Sequence, residues 1–141
     1  MSTPSPAQEQ VVLDYAAIWS ESDPARQSDL IHRTLTDDAR ILGPGFELTG
    51  HAAILAEAQR FAKDTPGVRA VMASGIDAHH NTARFAIAMV MPDGRIAHRG
   101  EDILLFAPDA RIELVLTYWS ALPPIPPNYP ERVTLRADDG T

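Results

Sequence analysis

Ile96-Ala97-His98-Arg99-Gly100-Glu101-Asp102-Ile103-Leu104-Leu105-Phe106 reads as a strand, with no proline and an aliphatic second half. Strand side chains alternate faces, so Asp102 shares one face with Ile96, His98, Leu104 and Phe106. That face is apolar and has an acid in it. An unpaired buried carboxylate costs several kcal/mol, about what a shift of a few pKa units represents. The chain can avoid the cost in several ways. The strand can lie at an edge, Asp102 can pair with Arg99, Arg84 or a backbone donor, or it can stand where a ligand or water meets it.

Working outward, the same alternation extends over residues 68–78, 82–91, 95–107 and 111–120. The joints are His79-His80-Asn81, Pro92-Asp93-Gly94 and Pro108-Asp109-Ala110, which carry turn chemistry and are too short for anything but antiparallel neighbours. Before Gly67 the period is helical. Ser5, Pro6 and Gln8 form a helix start with a capping box, and Val12, Tyr15, Ala16 and Trp19 then make one inward stripe. Asp23-Pro24 ends this helix and caps a second, which turns Leu30, Ile31 and Leu35 inward and is expected to end near Asp37-Asp38. Arg40-Ile41-Leu42 is expected as a short strand at most, and Gly43-Pro44-Gly45 as a loop before a second short strand at Phe46-Glu47-Leu48. Gly50-His51 opens a third helix with Ile54, Ala58 and Phe61 inward, and Thr65-Pro66-Gly67 ends it.

Helices followed by an antiparallel meander make an α+β domain, expected over residues 1–120. Residues 121–141 hold Pro123, Pro124, Pro126, Pro127 and Pro130 and are expected as an extended tail. The strands are apolar on both faces in places. Ala83, Phe85, Ile87 and Met89 alternate with Ala86, Ala88 and Val90, so the face turned away from the helices also wants cover, and a homodimer through that outer sheet face is expected.

Composition removes several classes of function. With 12 basic and 19 acidic residues the net charge is −7, and no basic cluster could neutralise phosphates, so nucleic acid is not an expected partner. The absence of cysteine excludes disulfides, thiolate nucleophiles and cysteine metal sites. No metal-ligand spacing, phosphate loop or nucleophile triad occurs, and no metal or other cofactor is expected. His79-His80 falls at a turn, while His32 and His51 sit at helix positions expected to be exposed. No apolar run approaches a membrane span and the start lacks the features of a signal peptide, which makes a cytoplasmic protein the expectation.

Trp19-Ser20-Glu21-Ser22-Asp23-Pro24, Leu35-Thr36-Asp37-Asp38-Ala39, Gly50-His51-Ala52-Ala53-Ile54, Pro66-Gly67, Pro92-Asp93-Gly94, Gly100-Glu101-Asp102 and Ala110-Arg111-Ile112 follow in a telling order and spacing. Through them, from about Val11 to Trp119, the chain resembles the nuclear-transport-factor-2-like superfamily in its SnoaL-like and ketosteroid-isomerase-like branch. The resemblance implies a conical barrel, a curved, mainly antiparallel sheet wrapped around the N-terminal helices with an apolar pocket at one end. It covers isomerases, polyketide cyclases, epoxide hydrolases and binding domains without chemistry, so fold does not settle function.

Carried over residue by residue, Tyr15 and Asp102 match the tyrosine and protonated aspartate of the ketosteroid isomerase oxyanion hole. The carboxylate base that those enzymes place just before the loop proline is replaced by Gly43, so the family's steroid isomerisation is not expected. The water-activating set of limonene-type epoxide hydrolases is also incomplete, with Gly100 where an arginine would stand and only Thr117 on the last strand. SnoaL-like cyclases ask chiefly for one strand aspartate, which Asp102 supplies with His98 to orient it or shuttle its proton. The resemblance thus implies a small-molecule pocket, either a cofactor-independent cyclase or isomerase-like enzyme acting on a carbonyl-containing apolar substrate, or a binding domain for a small apolar ligand. Trp19, Phe46, Phe61, Phe85, Met89 and Trp119 are the expected walls.

Overall fold

A computed structural model describes residues 2–139; Met1 and Gly140-Thr141, at the ends of the expected domain and tail, lie outside the described residues. Three helices precede most of the sheet: α1 (Pro6–Ile18), α2 (Pro24–Thr34) and, after strands β1 (Leu35–Gly43) and β2 (Phe46–Thr49), α3 (His51–Asp64). Strands β3 (Arg69–Met72), β4 (Asp77–His79), β5 (Thr82–Val90), β6 (Ile96–Phe106) and β7 (Ile112–Tyr118) follow. The helix starts form for the reasons legible in the chain. Ser5 accepts from the Gln8 amide at 3.1 Å while Gln8 accepts from the Ser5 amide at 3.0 Å, and Asp23 caps α2 by accepting from the Arg26 amide at 3.0 Å.

The seven strands make one sheet in the order β2-β1-β7-β6-β5-β3, with β4 also on β5. All neighbours are antiparallel except β1 and β7, which run parallel. The sheet is curved and open, since β2 and β3 are its unpaired ends, so the expected barrel is not closed. Its concave face carries the core. Phe85 and Ile87 of β5, Leu104 and Phe106 of β6 and Ile112 and Val115 of β7 pack with Val12, Tyr15 and Ile18 of α1, Ile31 of α2 and Ile54 and Ala58 of α3. Among the described residues no helix is long and apolar enough to cross a membrane.

Five sequence expectations are corrected. Helix α2 stops at Thr34, whose hydroxyl bonds back to the Leu30 carbonyl at 2.7 Å, and Leu35 is already extended, so Asp37 and Asp38 do not end a helix. They lie in β1, a nine-residue strand rather than a short one, at a bulge where five residues of β1 advance against two of β7. The single strand expected over residues 68–78 is two. From Met72 to Asp77 the chain takes five steps while β5 takes three, and Ser74 fills the gap by accepting the Ala86 amide at 2.7 Å. On β6, Ala97 is an extra residue between the pairs Met89–His98 and Val90–Ile96, which turns Ile96 out of the face that holds Asp102 and leaves it exposed. His51 is half-buried rather than exposed, with Nε2 2.9 Å from the Leu35 carbonyl. Residues 121–139 form neither helix nor strand, and Leu122, Val133 and Leu135 there are exposed.

Candidate active site

A cavity of about 140 Å³ opens between the helices and the concave sheet face. Each element contributes for a local reason. Tyr15 comes from the buried stripe of α1, and Trp19, one turn on from Tyr15 on the same stripe, is the C-cap of that helix and also lines the cavity. Phe61 and Glu57 come from α3, Ile41 from β1, Phe46 and Leu48 from β2, Ala70 from β3, Ile87 and Met89 from β5, Asp102 from β6, Thr117 from β7 and Trp119 from just beyond it. Tyr15, Trp19 and Phe61 run edge to face in a chain, with ring centres 6.3 and 6.4 Å apart.

Asp102 is the polar centre and is only 4% exposed. Its partner is neither Arg99, Arg84 nor a backbone amide. Thr117, directly opposite on β7, donates its hydroxyl to Oδ1 at 2.8 Å. Among the described residues no donor reaches Oδ2, which is open to the cavity. Arg84 instead pairs with Asp77 at 3.1 Å and reaches Glu101 at 4.0 Å on the outer face of the sheet. Burial therefore pushes the Asp102 carboxyl up from 3.8 to about 6, with the Thr117 hydrogen bond pulling against it. Tyr15, 2% exposed, has its phenol raised well above its ordinary value, first by burial and then by the negative charge of Asp102, with the Trp19 indole opposing. It remains a proton donor throughout the physiological range.

Asp102, Tyr15, Trp19, Phe46, Phe61, Met89 and Trp119 thus line one cavity. Two expected residues stand apart. His98 is exposed outside the lining, its ring tilted 58° against Trp119 at 5.9 Å, and Phe85, the cross-strand neighbour of Asp102, is packed in the core. Sequence reading missed Glu57 and the pairing role of Thr117. Glu57 stands at i−4 from Phe61 on α3, which the inward stripe would have shown. Its carboxylate is held by Arg60, which binds it through Nε at 2.9 Å and also through Nη2. Among the described residues no group of three or more His, Cys, Asp or Glu side chains is placed to hold a metal ion.

Two glycines give this cavity its walls. A β-carbon on Gly43 would overlap the Phe46 ring, so Phe46 occupies the space where a side chain at 43 would stand. At Gly100 a β-carbon would lie 2.7 Å from Trp119 Cε3, so Trp119 lies close against the backbone there.

This fold recurs among solved structures. A SnoaL-like family protein from Agrobacterium tumefaciens, described as a candidate isomerase, is 26% identical, with a TM-score of 0.77 over 83% of this chain and 100% of its own. The chain has an NTF2-like fold. Two further likenesses are of fold alone. An NTF2-like protein from Exiguobacterium is 19% identical, with a TM-score of 0.61 over 79% of this chain and 99% of its own. A protein of ketosteroid isomerase-like fold from Catenulispora acidiphila, in complex with trimethylamine, is 16% identical, with a TM-score of 0.65 over 84% of this chain and 88% of its own. No protein-family model matches this sequence, and no curated protein matches it.

Proposed function

We propose that this chain is a small-molecule pocket protein in which Asp102 acts as acid and base on a small carbonyl compound, with Tyr15 donating a hydrogen bond to the carbonyl oxygen. The observation that carries the reading is the Asp102 carboxyl itself, buried, paired only to a hydroxyl, open to the cavity through Oδ2 and tuned to about 6. A base works best when its pKa lies near the operating pH, and an ordinary aspartate near 4 is too weak. Removing a proton beside the carbonyl moves that proton to Asp102 and negative charge to the oxygen, which the Tyr15 hydroxyl then stabilises. No cofactor is needed for that step. His98, outside the cavity, takes no part in it.

The cavity limits the substrate. A void of about 150 Å³ holds benzene, so 140 Å³ suits a molecule of that size, and a larger one would extend through the open mouth. Proton exchange at the α-carbons of cyclohexanone in deuterated water, followed by NMR, is the test. Catalysed exchange that is lost in Asp102→Asn and falls by about 10²-fold to 10³-fold in Tyr15→Phe supports the reading. Exchange at the buffer rate with wild-type protein ends it.

A second reading is favoured by Phe46. Its ring fills the space beside Gly43 where the resemblance requires a separate base, which suits a cavity that binds a small apolar ligand and does no chemistry. The trimethylamine held by the Catenulispora acidiphila protein is small enough for this cavity. Binding without exchange in the same experiment selects this reading.

The outer sheet face carries Leu42, Leu114, Leu116, Ile103 and Leu105, each half-buried, beside exposed Tyr118. We infer a homodimer through this face, burying on the order of 1,200 Å² or more in total. Light scattering at micromolar concentration tests it, and a monomer there refutes it. The cytoplasm is the compartment we propose for the protein.

A further inference from the structure

The cavity lining includes two carboxylates, Asp102 and Glu57, and no Lys, Arg or His side chain. Glu57 has Arg60 to answer its charge. Asp102 has nothing of the kind. The cations nearest along the sheet, Arg84 and Arg99, alternate onto the outer face, where Arg84 is engaged by Asp77 and Glu101. Five aromatic rings, those of Tyr15, Trp19, Phe46, Phe61 and Trp119, complete the walls. Two of these rings, Phe46 and Trp119, lie where glycines 43 and 100 leave room for them, so the aromatic character follows from the backbone as well as from the side chains.

We infer that the cavity takes a small alkylammonium cation, with its charge against the Asp102 carboxylate and its alkyl groups among the aromatic rings. The inference rests on the cavity being a ligand site, which both readings above share, and names the ligand class for the reading without chemistry.

Charge, shape and linkage point the same way. An anion would meet two carboxylates and no cation. A neutral molecule would leave Asp102 ionised and unpaired at neutral pH, because a carboxyl that titrates near 6 is mostly charged at 7. A cation pairs that charge at Oδ2, and aromatic rings attract cations through their quadrupoles, most strongly where water is excluded. The volume suits an ammonium group with three or four small substituents.

Such a ligand also has a distinctive pH dependence. The groups facing Asp102 are the Tyr15 phenol from α1, Thr117 from β7, Phe85 from β5 and, across the cavity, the Arg60-bound Glu57 from α3; His98 lies outside, on Trp119. A cation binds the ionised form of Asp102, so its affinity falls as pH drops through about 6. A neutral carbonyl compound accepts from the Tyr15 hydroxyl, which keeps its proton across this range, so its affinity does not fall as pH drops through the same value. The slope therefore separates the two ligand classes.

The experiment titrates the full chain with three probes, choline, its neutral isostere 3,3-dimethylbutan-1-ol, and cyclohexanone, reading affinity by calorimetry and site by the indole N–H resonances of Trp19 and Trp119. Choline is expected to bind at least about tenfold tighter than the alcohol at pH 7, to shift both indoles, and to bind roughly tenfold more weakly at pH 5. In Asp102→Asn, an isostere that keeps an acceptor for Thr117, the advantage of choline and its pH dependence both disappear. Alcohol binding as tight as choline, or choline binding that moves neither indole, overturns the cation inference. If cyclohexanone moves the indoles and choline does not, the inference falls and the ligand site stands. If none of the three moves them, both fall.

Discussion

Replacing Asp102 by asparagine should make the protein more stable at neutral pH, and the structure sets the size of the gain. The Asp102 carboxyl is raised from 3.8 to about 6 mainly by burial. At about 1.4 kcal/mol per pKa unit, that difference is about 3 kcal/mol. For the sign, between these two values the folded state holds a proton that the unfolded chain has released, so the folded state is increasingly disfavoured as pH rises. The loss begins near 3.8 and is complete above 6. Asparagine keeps the shape and an acceptor for Thr117 but carries no charge, so the variant should match the wild type near pH 3.5 and exceed it by up to about 3 kcal/mol at pH 7 to 8. For a domain of this length that is on the order of 10 °C in Tm. Asp77 and Asp109 shift the opposite way, lowered by Ser2 with Arg84 and by Arg111 respectively, but both are unchanged by the substitution and cancel in the difference. Urea unfolding of both proteins across this pH range measures the curve. A variant less stable than wild type at pH 7, by an amount that vanishes in acid, would mean that the native charge is favourably paired, and would refute the tuned-acid reasoning.

Thr117→Val removes the one hydroxyl that holds the charged form of Asp102, so the Asp102 titration followed by carboxyl-carbon NMR should move above 6; an unchanged midpoint would mean the hydrogen bond at 2.8 Å contributes nothing. Gly43→Ala pushes aside the end of the Phe46 ring, which is 39% exposed and can turn outward, so it should cost no more than about 1 kcal/mol in chemical unfolding; a larger loss would mean that the ring is confined.

Much of the fold was legible because its signals are local. The Ser5 and Asp23 caps, the inward stripe through Val12 and Tyr15 and the turns after His79, Met91 and Ala107 each depend on a few adjacent residues, and each forms where those residues predict. What the sequence hid was pairing irregularity. A bulge inserts residues without changing the alternation on either side, so residues 68–78 read as one strand although β3 and β4 are separated by two extra residues. The same blindness affected β1, whose Thr36-Asp37-Asp38 segment looks like a helix end because acidic, exposed residues in a strand bulge resemble a loop.

The site follows the same division, and one step of register decides its chemistry. Alternation alone turned Asp102 toward the core, and the helical period turned Tyr15 and Trp19 toward it from the other side. The partner of Asp102 could not be found that way. Counting inward from the pair Phe106–Ile112 with a regular ladder sets Asp102 opposite Leu116, an aliphatic residue that offers it nothing. The irregularity between Leu105 and Phe106 moves the register by one, so that Thr117 stands opposite instead and Leu116 turns to the outer face. A bulge at the far end of the hairpin thereby supplies the hydroxyl that keeps a buried carboxyl near 6 rather than higher. It also fixes Trp119, two residues on, over Gly100, so the polar centre of the cavity and one of its aromatic walls depend on the same inserted residue.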